Sequence, residues 1–94
     1  MEEELKTLQF QLMNDITYTE SIVSAAKDLV VYLDLEPRFF RDLELTSVTL
    51  QELLRRISKA INPEHLKQFI LSTKQVRIMA TDLLDMCKEK MHSV

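Results

Sequence analysis

Asp82, Asp85, Glu89 and His92 follow one another at spacings of three, four and three, so a helix would carry all four on one stripe. Glu89-x-x-His92 is also the spacing at which helices of di-iron bundles present a carboxylate and an imidazole to metal. Such sites draw further carboxylates from facing helices, and here the apolar residues Leu83, Leu84 and Cys87 occupy a different side. The expectation is a solvated acidic edge with no metal. Cys87, the sole cysteine, is a candidate nucleophile. A reactive thiolate needs a nearby base or cationic surroundings. His92 lies around the helix, and His65 lies about six turns away. An inert, buried thiol is the expectation. The two histidines make no Ser/His/Asp arrangement, so no catalytic residue, no enzyme activity and no cofactor is expected.

Absence narrows the field further. The 94 residues contain no glycine, where average usage would supply about six or seven. Phosphate loops, dinucleotide-binding turns and nucleophile elbows all depend on glycine for positive φ or close backbone approach. Those classes are excluded, and tight two-residue hairpins are disfavoured. The chain is 46% apolar and 29% charged with a net charge of −3, a globular balance with no general polyanion-binding surface. Nucleic-acid binding would need a denser basic patch with interleaved aromatics. No run of apolar residues is long enough to span a bilayer. The acidic start, Glu2-Glu3-Glu4, is unlike a basic targeting signal. A single cysteine suits a reducing compartment. A soluble intracellular location, cytoplasmic or nuclear, is expected.

The elements that would position these residues are helices. Leu5, Leu8 and Leu12, then Ile22 or Val23, Ala26, Leu29 or Val30, and Leu33, recur at helical spacing. They predict one long helix over residues 2–33. Thr17 and Glu20 have capping-box spacing, which admits a break near residues 14–20. Pro37 ends this element. Residues 34–48 then read as a connection, with Phe39, Phe40 and Leu43 forming a short apolar turn that plugs one end. Thr49 and Glu52 make a second capping box, opening an amphipathic helix over 49–61. Asn62-Pro63 restarts the chain as N-cap and first helical residue. Leu66, Phe69, Thr73, Val76, Ala80, Leu83 and Cys87 then alternate steps of three and four, the spacing of a coiled-coil seam, through a helix over 63–92. Met13, Met79, Met86 and Met91 fall at helical intervals and read as core filler, with a partner-binding role for Met86 and Met91 as the alternative.

The order long, short, long predicts an all-α fold: an antiparallel helical bundle or hairpin, with the two long helices packed antiparallel and the short one between them, a single domain over residues 1–94, completed by dimerisation. A short middle helix would leave the outer pair uncovered towards its ends. Leu5, Leu8 and Leu12 at one end and Leu83, Leu84 and Met91 at the other are therefore the expected partner interface, because apolar stripes need a covering surface. Residues 1–35 carry two positive against seven negative charges, while residues 36–62 carry five against four. That asymmetry could orient an acidic helix against a basic one. Whether the partner is a second copy or another protein stays open. Two other readings are compatible with the same residues: a small monomeric inhibitor or immunity-type protein, and, more remotely, a metal-binding bundle.

Thr19-Glu20-Ser21, Ala25-Ala26, Asp28 and Tyr32, followed by Pro37, Phe40 and Asp42-Leu43, resemble a segment of the cavernous-malformation (programmed cell death) adaptors. Leu50-Gln51-Glu52-Leu53-Leu54 through Asn62 continues the likeness. The stretch from Ala80 to Met91, with Leu83-Leu84-Asp85, also resembles a helix of focal-adhesion-targeting domains. The resemblance implies a helical adaptor that docks another helix. It transfers no specific peptide-binding residue.

Overall fold

The apolar stripe of the first segment does not pause in its middle. Leu12, Ile16, Thr19, Val23, Ala26 and Val30, stepping by four and three, are all buried. They belong to one unbroken helix, α1 (Glu2–Tyr32). Thr17 caps nothing: its hydroxyl donates to the Met13 carbonyl one turn back. The computed structural model describes residues 2–59 and 62–92. Its order is α1, α2 (Pro37–Arg56), a single 3-10 turn (Ile57–Lys59) and α3 (Pro63–His92), so the chain is an all-α three-helix bundle of long, short and long helices.

The turn after α1 solves without glycine a problem that usually calls for one. Asp34 takes a left-handed φ of 54°. Its N–H donates to the Val31 carbonyl, and Leu35 N–H reaches back to Val30. This is the bond pattern of a Schellman cap, and the apolar pair Leu35 and Val30 accompanies it. Aspartate tolerates this conformation better than most residues with a Cβ.

The expected connection over 34–48 is where the structure departs most from the sequence reading. Only residues 33–36 link the helices, and α2 starts at Pro37, with Pro at the first helical position. Thr49 is interior to α2, and its hydroxyl donates to the Leu45 carbonyl. The second capping box is therefore not a helix start. Phe39, Phe40 and Leu43 belong to the first turns of α2 rather than to a plug. Ile61, the expected end of this element, lies outside the described residues. Asn62 does cap α3: its Oδ1 accepts the Glu64 N–H at 2.9 Å. Replacing Asn62 by alanine should cost about 1 kcal/mol of stability. Thr49→Ala should move it by no more than about 0.5 kcal/mol. Urea denaturation of the two variants separates the cases, and equal losses would restore a helix start at Thr49.

Three successive legs make the two long helices parallel to each other rather than antiparallel as expected. Lys67 Nζ lies 3.6 Å from Glu4 and Arg77 3.7 Å from Asp15, so the two helices advance in the same direction. The helix lying antiparallel to α1 is α2. Glu20 Oε1 accepts bonds from Ser47 Oγ and Gln51 Nε2. Further along, Lys27 sits over the Phe40 ring, and Gln9 donates to the Ile57 carbonyl. With twenty residues instead of thirteen, α2 covers α1 from Gln9 almost to its end. Leu66, Thr73, Ala80 and Cys87, each seven residues apart, are the buried line of α3. Leu43, Leu50 and Ile57, again seven apart, are that of the second leg. Both lines face α1, which forms the spine of a body measuring 53 × 20 × 15 Å.

Candidate functional site

Because both flanking helices turn their buried lines to α1, they scarcely touch each other. Apolar surface is therefore left uncovered lengthwise between α2 and α3, while Phe10, Val31, Tyr32 and Leu71 are exposed elsewhere on the long helices. A cleft of about 320 Å³ opens there between Phe39, Leu43 and Thr46 on one wall and Val76, Met79, Ala80 and Leu83 on the other. Asp42 is its one ionisable lining residue. A neighbouring hollow continues along the same seam past Leu45, Thr49 and Leu50. Large apolar side chains along this seam are held in water: Met79 in the cleft is 72% exposed, and Leu45 in the adjoining hollow 68%. The cleft has apolar walls and a single carboxylate, that of Asp42, among its described lining residues. It can hold the apolar face of another helix.

The expected interface residues are dispersed. Leu12 is wholly buried inside the chain and is a core residue. Leu5, Leu8, Leu83 and Leu84 are half-buried and pack against the core. Only Leu83 also lines the cleft, and Met91 is exposed on the last turn of α3. The methionines read as core filler are largely at the surface: Met13, Met79 and Met91 are all exposed.

Asp82, Asp85, Glu89 and His92 lie exposed along α3. Among the described residues no group of three or more His, Cys, Asp or Glu side chains converges as a metal site would require. Cys87 is fully covered, and burial pushes its thiol pKa up, opposed in part by the charge of Lys90. A thiol held protonated is a poor nucleophile. Among the described residues, Thr19 and Thr73 are the buried polar ones. The Thr73 hydroxyl bonds the Phe69 carbonyl, whereas that of Thr19 has no partner among the described residues.

A second hollow lies on the opposite flank of α2, where Phe10 and Met13 of α1 meet Leu54. At about 520 Å³ it is larger but more open, and it has Lys6 among its lining residues. The signal for the main cleft was present in the sequence. Met79 and Leu45 sit one position before the buried Ala80 and the half-buried Thr46, so they widen the apolar stripes beyond what α1 alone can cover.

No family model, curated protein or solved structure matches this chain. Among the described residues no helix is long and apolar enough to cross a membrane.

Proposed function

We propose that this chain is a non-catalytic protein–protein interaction module, a scaffold, adaptor or regulatory subunit that works by covering apolar helix faces with another helix. The observation that carries this reading is the nearly uncharged cleft between α2 and α3, with exposed Met79 on its wall and exposed Leu45 on the hollow that continues it. Large apolar side chains in water along a shared groove are the mark of a surface awaiting a partner. Helix-in-groove docking uses such lengthwise clefts, with anchors at three- and four-residue steps. Methionine suits the rim because its unbranched thioether adapts to the shape placed on it. A helix-docking role is also what the resemblance to focal-adhesion-targeting domains and their adaptor relatives implies. Only that class is carried over.

The test is a photo-crosslinking side chain placed at Met79 in living cells. A discrete adduct to a protein is expected from Met79. The same group at Lys74, exposed one heptad beyond the Lys67 that pairs with α1, should give little. Equal labelling from both positions, or none from Met79, would sink the reading.

A further inference from the structure

We propose that the occupant of this cleft is a second copy of the chain, its α2 lying antiparallel about a two-fold axis at Thr49, with Asp42 of each copy opposite Arg56 of the other. The inference rests on the docking reading above and names its partner.

Asp42, Thr49 and Arg56 are seven residues apart, so they share one stripe of α2. That stripe runs beside the cleft: Asp42 lines it, and Thr49 lines its continuation. Asp42 and Arg56 are both exposed, and neither side chain forms an ion pair among the described residues. Within one helix they stand about 21 Å apart, too far to meet. Thr49 lies midway between them. A second α2 laid antiparallel about that point sets each aspartate against the other copy's arginine, twice by symmetry. The same register brings exposed Leu45 against half-buried Leu53. Parallel docking would instead oppose like charges at both ends. Two-fold pairing of identical patches is the commonest way a chain associates with itself.

The surface area agrees with one interface of ordinary size. The chain exposes 6809 Å², whereas a compact monomer of its mass would expose about 5,600 Å². Part of the excess comes from the elongated shape, but it is of the same order as the roughly 800 Å² each partner contributes to a standard interface.

Sedimentation equilibrium over a hundredfold range of concentration tests the proposal. The unaltered chain should be a dimer whose Kd rises with salt. Arg56→Asp and Asp42→Arg each place like charges face to face at two positions and should raise Kd about tenfold or more. The double variant restores both pairs with signs exchanged and should recover the dimer. Both side chains are exposed, so circular dichroism should show all three variants folded. A monomer at every concentration overturns the proposal. So does a dimer whose Kd ignores both single reversals. The docking reading is tested independently: a Met79 adduct to a different protein would keep it while removing the second copy from the cleft.

Discussion

Leu12→Ala should lower the stability of this chain by about 2–5 kcal/mol, measured by urea denaturation. Leu12 has no exposed surface and lies in the shared core of the three helices. Truncation removes three buried carbons and leaves a cavity that rigid neighbouring helices close only in part. For a 94-residue chain, total stability is on the order of 5–14 kcal/mol, so the loss is a large fraction of the whole. The apolar pattern alone assigns Leu12 to a partner interface, and the two roles predict different behaviour on dilution. A core residue loses the same free energy at any concentration. An interface residue loses less as the assembly dissociates. A loss that fades on dilution to tenfold below the Kd of the proposed dimer would return Leu12 to the interface. Met91→Ala, at a site 42% exposed, should stay within about 0.5 kcal/mol.

The seam of α3 was legible because its apolar residues keep a strict period and no polar residue but Thr73 interrupts them. The start of α3 was legible because Asn62-Pro63 is a strong capping pair with a side-chain bond to confirm it. The unity of α1 was harder to see. Residues 14–20 hold two threonines, an asparagine and an aspartate, yet Ile16 and Thr19 are buried on the same line as Leu12 and Val23. Threonine passes for a cap in the sequence. In the folded chain, Thr17 and Thr49 spend their hydroxyls on carbonyls one turn back, and Thr46 does the same with Asp42.

The direction of the long helices turned on the length of α2. A short middle helix with a loose connection leaves the return path undetermined. A twenty-residue helix carries the chain back along α1 almost to its start, so the third leg must retrace the first. The location of the candidate site followed from the same fact. Once α2 covers α1 along its length, an apolar seam is left open between α2 and α3. The widened stripes at Leu45 and Met79 mark each helix separately, but the seam itself depends on which sides of two helices are turned away from the third.

Glu44→Pro should destabilise the chain by about 3 kcal/mol or more. Glu44 is exposed and its side chain has no hydrogen-bond or ion-pair partner among the described residues, so what the substitution removes is backbone. Its position inside α2 means that proline deletes the bond from residue 44 N–H to the carbonyl of Phe40, and the ring collides with the turn before it. Glu44→Ala keeps the backbone bond and should change stability by less than about 0.5 kcal/mol. The pair therefore isolates the helix from the side chain. Had residues 34–48 been the irregular connection their composition suggests, proline at 44 would be tolerated, and the urea midpoint would hardly move. An unchanged midpoint would remove the first half of α2, and with it the wall of the cleft formed by Phe39, Leu43 and Thr46. A fall of the expected size would support the helix on which both the cleft and the two-fold pairing at Thr49 depend.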